Sequence, residues 1–205
     1  MNTAIKTAIE TRTSTTRYQP GLALPESSIR ELVQLATRAP SAYNLQNWKF
    51  VAVRSPAGKA RLHDLAYQQR QVLDAAVTFI VCGTLQAHIR LAQHLQPSVD
   101  AGILPASVQQ SWTAMASAAH DGNPQLQRDE ALRSASLAAM TLMLAAQGMG
   151  LASGAMSGFD AAGVRQAFAL AADEQPVMLI TVGQAAAGNW PQKRRRPLQE
   201  VLAFA

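Results

Sequence analysis

Apolar and polar positions along the chain change period several times, and each change marks an element. Ile29, Leu32, Val33 and Ala36 recur at i, i+3, i+4 and i+7, the stripe of an amphipathic helix. Ser28, with Glu31 three residues on, reads as a capping box at its start. Pro40 sets its limit, because the residue before a proline resists helical angles. Residues 77–82 (Val-Thr-Phe-Ile-Val-Cys) and 176–183 (Pro-Val-Met-Leu-Ile-Thr-Val-Gly) are nearly continuous apolar runs, as expected of strands covered on both faces. A shorter strand is predicted over 49–53. Helices are predicted over 5–9 and 57–72, in pieces over 86–121 with interruptions at Pro97 and Pro105, and from a cap at Asp160 to about residue 170. Residues 129–147, rich in alanine, leucine and methionine, read apolar nearly all round and predict a helix at the centre of a domain. Pro20, Gly21 and Pro25 make 18–26 a loop, Gly122-Asn123-Pro124 is a turn, and Gly148 to Gly154 stops the long helix.

Few strands, many helices and one sheet make the class α+β. Neither an internal repeat nor a divisive linker interrupts the 205 residues, so one domain over 1–205 is expected, with 96–125 as a helical excursion from its core. Composition agrees: 48% hydrophobic and 15% charged residues exclude intrinsic disorder, and 39 alanines favour helices packed through small contacts.

The net charge of +5 is concentrated in Lys193-Arg194-Arg195-Arg196, and the remainder of the chain is nearly balanced. The high isoelectric point therefore reduces to one question, what a single C-terminal basic cluster binds. One cysteine, Cys82, allows no intrachain disulfide and points to a reducing compartment. His63, His88, His94 and His120 lack zinc-ligand spacing, so no metal is expected. No apolar run approaches the ~20 residues of a membrane span, and the first residues lack the apolar stretch of a signal peptide. A cytoplasmic protein with no membrane partner is the expectation.

Four segments could carry chemistry. Arg12 to Arg17 offers hydroxyls, backbone donors and two guanidiniums within six residues, and reads as a polar loop or as an anion cradle. Ala39 to Trp48 crowds amides, a hydroxyl and an aromatic ring into one connection. That reads as ordinary turn chemistry or as in-plane partners for a heteroaromatic ring. Gly148, Gly150, Gly154 and Gly158, with Ser153 and Ser157 between them, permit close backbone approach to a flat ligand. No strand-then-helix context of a dinucleotide fingerprint is expected around them, which argues against a Rossmann reading. Lys193 to Pro197 reads as a solvated tail or as a localisation or nucleic-acid patch; as a nucleic-acid patch it supplies few phosphate contacts. No segment contains a nucleophile–base pair, so no catalytic side chain is assigned.

Together the segments resemble the nitroreductase family of FMN-dependent oxidoreductases. Arg12, Ser14 and Tyr18 match its N-terminal pattern; Ala39, Pro40, Ser41, Asn44, Gln46 and Trp48 match its Ala-Pro-Ser-x-x-Asn-x-Gln-Pro-Trp hallmark. Leu144 to Ser153 with Gly158-Phe159-Asp160 matches a third region, and Gly183 with Lys193, Arg195, Pro197 and Leu198 a fourth. The resemblance implies a mostly antiparallel central sheet flanked by helices, in an intertwined homodimer with two FMN sites at its interface. Arg12, Lys193 and Arg195 would hold the phosphate, with Thr13, Ser14 and Thr16 beside them. Pro40, Ser41, Ala42 and Asn44 would come from the other subunit. Ser157 and Gly158 would lie against the flavin ring, and Gln68 and Gln71 near its N1–O2 edge. NADH or NADPH would pass hydride to flavin N5, and a nitroaromatic, quinone or similar flat acceptor would take it in a ping-pong cycle. Residues 96–125, with Trp112 and Met115, would wall the acceptor channel. Several positions depart from the family pattern: Asn47 replaces proline, Thr16 a basic residue, Gln71 a lysine and Ser157 an acid. Other flavin chemistry on the same fold, such as dehalogenation or enoyl oxidation, and a basic-tailed nucleic-acid-binding protein are the competing readings.

Overall fold

The computed structural model describes residues 3–205. The chain runs α1 (Thr3–Thr11), α2 (Glu26–Ala36), β1 (Trp48–Val53), α3 (Pro56–Leu65), α4 (Gln71–Asp74), β2 (Val77–Thr84), α5 (Leu91–Asp100), α6 (Ala106–His120), α7 (Pro124–Gly148), β3 (Ala152–Met156), α8 (Ala161–Ala167) and β4 (Glu174–Gly183). The four strands form one antiparallel sheet in the order β1-β2-β4-β3. Alternation along the central strand divides the core between two faces. Val77, Phe79 and Val81 pack with α2 and α7, whereas Ile80 and Cys82 pack with Leu62 of α3 and Val164 of α8. Both faces of β2 are thus covered, as its unbroken apolar run predicts.

Five elements differ from expectation. The helix expected from Ser28 begins at Glu26, with Pro25 at its N-cap and no side-chain cap. The Ser28–Glu31 box is not formed; an acid at the positive helix end and the Glu26–Arg30 pair, 2.5 Å apart, stand in its place. The helix expected over 57–72 breaks into α3 and α4, because Tyr67 and Gln68 adopt left-handed φ of 51° and 57° without the glycine that usually signals such a break. Pro97 lies inside α5 rather than interrupting it. The long helix starts at Pro124 behind an Asn123 cap and buries one face only; Leu137 and Met140 remain exposed. Finally, Ala152–Met156 is a strand that its small residues conceal. With α8 following, a strand-then-helix context does exist here. The Rossmann reading fails instead because β3 is an antiparallel edge strand.

The register fixes where the functional segments lie. Trp48 at the start of β1 faces Gly83 at the far end of β2, while Ser153 on β3 faces Val182, which faces Val77. The loop before β1 and the Ser153 region therefore occupy diagonally opposite corners of the sheet. Three strand spacings and six residues of rise put them ~25 Å apart.

Candidate functional site

The corner beside Ser153 is built on hydrogen bonds. Ser14 bridges to Ser153, and the Thr15 N–H donates to the Ser153 carbonyl at 3.0 Å. This close approach needs Gly154, since a Cβ there would run into the Thr15 carbonyl oxygen. Tyr18 is buried and its hydroxyl meets Thr181 Oγ1 at 2.9 Å; burial pushes the phenol upward, opposed by that hydrogen bond. Asn189 fastens the outer side: its Oδ1 accepts from the Thr16 and Arg17 N–H groups, and its Nδ2 donates to the Arg17 carbonyl. So fixed, Thr13 and Ser14 share a pocket of about 60 Å³ with Trp190, Gln192, Lys193 and Arg195. Arg194 does not line it, and Arg196 donates to Glu200 at 3.0 Å instead. Arg12 is half-buried at the end of α1 and lies outside the pocket lining; Thr16 is exposed nearby.

A second grouping lies where β3 ends. Ser157 and Gly158 are exposed, and the Gly158 carbonyl accepts from Gln69 Nε2 at 2.8 Å. Gln71 is buried and its Nε2 reaches Gln69 Oε1 at 3.4 Å. Gln68 is exposed in the left-handed turn; its neighbour Gln69 is the side chain that contacts Gly158. Sequence spacing missed Gln69, as it missed Asn189, because neither belongs to a periodic or motif position.

The opposite corner holds Pro40, Ser41, Ala42 and Asn44. Ala42–Asn44 forms a single 3₁₀ turn, and the Gln46 N–H donates to Ser41 Oγ at 2.9 Å. Tyr43, Asn44 and Gln46 all take positive φ (51°, 58° and 49°). Each such non-glycine residue costs ~1 kcal/mol, somewhat less for asparagine. Leu45 is buried among Leu91, Leu95 and Ala116, with Tyr43 and Trp112 against the same cluster. Asn47, also buried, accepts the Thr84 N–H on its carbonyl, tying the loop end to β2.

The cysteine is no part of these groupings. Cys82 is buried in β2, where desolvation, helped by the charge of Glu174, pushes its thiol up to about 12.

The family model described as the Nitroreductase family matches residues 9–184. The chain belongs to the nitroreductase family. It is 32% identical to YodC of Bacillus subtilis, assigned as an NAD(P)H nitroreductase, over 96% of both chains. Its identity to an NADH dehydrogenase of Thermus thermophilus is also 32%, covering 97% of this chain and 95% of that one. An Exiguobacterium sibiricum protein assigned as a nitroreductase and solved in complex with FMN superposes with a TM-score of 0.91 at 26% identity, covering 98% of this chain and 97% of that one. The α+β architecture and antiparallel sheet of the nitroreductase fold are as the resemblance implied.

Proposed function

We propose that this nitroreductase-family chain is an FMN-dependent oxidoreductase that takes reducing equivalents from NADH or NADPH and delivers them to nitroaromatics, quinones or similar flat acceptors. The observation that carries the reading is the pocket that Lys193 and Arg195 line together with Thr13 and Ser14. Two cations and two hydroxyl donors suit the dianionic phosphate of FMN, and charge-assisted hydrogen bonds of this kind are the strong ones. Arg12 and Thr16 flank Thr13 and Ser14 in sequence but lie outside the pocket lining; their side chains would add donors to the phosphate only by turning toward it. Ser157 and Gly158, exposed and small, would admit the flat ring against their backbone, with Gln71 at its edge through Gln69. When bound, FMN supplies a ring that accepts hydride and passes it on.

The loop carrying Pro40, Ser41, Ala42 and Asn44 is too far across its own sheet to reach the same molecule as that pocket. A second copy of the chain, related by a twofold axis, brings its loop to this chain's pocket, which makes the active unit a homodimer. Apolar Ile5 and Ile9 of α1, Leu137 and Met140 of α7, and Phe204, 93% exposed, offer the covering surface such an interface needs. The basic cluster then serves a cofactor rather than nucleic acid.

The test is direct. The purified protein should be yellow, release FMN on denaturation, and bleach under anaerobic NADH or NADPH; mixing with a quinone or nitroaromatic should restore the colour. A colourless protein without micromolar affinity for FMN, retarding oligonucleotides with a steep salt dependence, would overturn the proposal.

A further inference from the structure

The 41–47 loop poses a mechanical question. Three of its residues sit in the left-handed region, yet none is glycine. Its hydrogen bonds are mostly short-range: the Ser41 and Ala42 carbonyls accept from the Asn44 and Leu45 N–H groups, Ser41 Oγ from the Gln46 N–H and the Gln46 carbonyl from the Trp48 N–H, and only the Thr84 N–H donation to the Asn47 carbonyl ties the loop to another element. Packing from outside the loop adds to these bonds, and α6 supplies the part that reaches Tyr43. Gln109, Trp112, Ala116 and His120 follow one another on the inner face of α6. Gln109 donates to the Ala92 carbonyl and to Gln96 Oε1, both at 2.8 Å, which docks α6 on α5. From that fixed base Trp112 meets Tyr43 edge to face, with ring centroids 6.4 Å apart and planes inclined by 67°. Tyr43 is the first of the left-handed residues and sits between Ala42 and Asn44. Met115, by contrast, is exposed and does not share this contact. Trp112 therefore faces the loop.

The geometry points to Trp112 as a positioning residue for the cofactor: its edge-to-face contact with Tyr43 holds the 41–47 loop in the left-handed form that presents Ser41, Ala42 and Asn44 to FMN. This rests on the proposed function above. The contact acts on the loop and never on the ligand, so its loss changes affinity through geometry.

A double-mutant cycle separates this role from general stabilisation. Trp112→Ala should weaken FMN binding, read by quenching of flavin fluorescence, by at least tenfold, and Trp112→Phe should restore most of it. Trp112→Leu keeps apolar volume in the cluster and carries the measurement if the alanine variant does not fold. In the apoprotein, the Gln46 amide should exchange faster in Trp112→Leu than in wild type. Tyr43→Gly removes the ring and lets position 43 adopt positive φ freely. In that background Trp112→Leu should lose most of its effect on affinity. Two results would overturn the inference while leaving the proposed function standing. One is unchanged affinity in Trp112→Leu; the other is a Trp112→Leu penalty as large in the Tyr43→Gly background as in wild type. A wild-type chain that takes up no FMN would remove the proposed function and this inference with it.

Discussion

Two corners of one sheet are held by different physics. Around Ser153 the chain from Thr13 to Tyr18 is stitched to β3, β4 and Asn189 by backbone and amide hydrogen bonds, and its close approach depends on Gly154. Around Leu45 the loop before β1 bonds mainly to itself, reaches the sheet through the Thr84 N–H, and leans on an apolar cluster supplied by α5 and α6. Directional bonds to a sheet fix register, and a regular spacing of backbone groups is enough to maintain them. Apolar packing fixes volume, so the second corner depends on the identity of side chains far away in the sequence. A lesion in the helical excursion should therefore disturb one half of the site and leave the other half intact.

The largest effect is expected where the first corner has no room. Gly154→Ala forces a methyl against the Thr15 carbonyl, and a backbone segment must move. A loss on the order of 3 kcal/mol in denaturant unfolding is expected, with FMN affinity falling as Ser14 shifts. If Gly154→Ala unfolds like wild type, the Thr13–Tyr18 segment is not held tightly against β3. Next comes the split within the basic run. Arg195 lines the pocket and Arg194 does not. Arg195→Ala should cost roughly tenfold to a hundredfold in FMN affinity, given about 1.5–3 kcal/mol for a hydrogen bond to a charged group, while Arg194→Ala should change little. Equal losses would mean that the run acts only as diffuse charge.

A smaller effect is expected from the amide chain Gln71–Gln69–Gly158. Gln71→Lys brings a positive charge toward the side of the ring where reduction places negative charge, so the bound flavin should become easier to reduce. Spectroelectrochemical titration reads the shift; an unchanged potential with FMN bound would show that residue 71 does not reach the ring. The smallest effect concerns the second corner's anchor, where Lys49 Nζ lies 2.5 Å from Glu174 Oε1. Burial alone would lift the Glu174 carboxyl, but the hydrogen bonds from Lys49 and from the Ala171 N–H, with the Lys49 charge, outweigh it and hold it below its ordinary 4.5. Stability from a depressed carboxylate is whole above the ordinary value and lost as pH falls through the lowered folded one. Melting of wild type and Glu174→Gln should differ modestly at neutral pH and converge in acid.

Much of this architecture was legible in the sequence, and the gaps have physical causes. The strands at 77–84 and 174–183 announced themselves because burial on both faces leaves an apolar run. β3 did not, because Ala-Ser-Gly-Ala-Met is made of residues suited to close approach rather than to strand propensity. Chemistry singled out the 12–17 and 193–197 segments, and of the residues the resemblance implied within them Thr13, Ser14, Lys193 and Arg195 share a pocket whereas Arg12 and Thr16 lie outside its lining. Two supports were invisible, because Asn189 and Gln69 act through contacts at separations that no local pattern records; Trp112 was named for a channel wall, and its contact with Tyr43 was not foreseen. Tyr67 and Gln68 broke a helix without glycine or proline, so the turn that aims Gln69 at Gly158 could not be foreseen.

In the proposed dimer each FMN site joins one chain's basic pocket to its partner's loop. Mixed dimers test it most directly. One chain carries Lys193→Ala with Arg195→Ala, the other Ser41→Ala with Asn44→Ala, and differently tagged copies are purified as the mixed species. A shared site predicts that each mixed dimer holds one doubly damaged site and one undamaged site, hence one FMN per dimer at wild-type affinity. Mixed dimers with no tight site, or chains that never pair, would contradict the account.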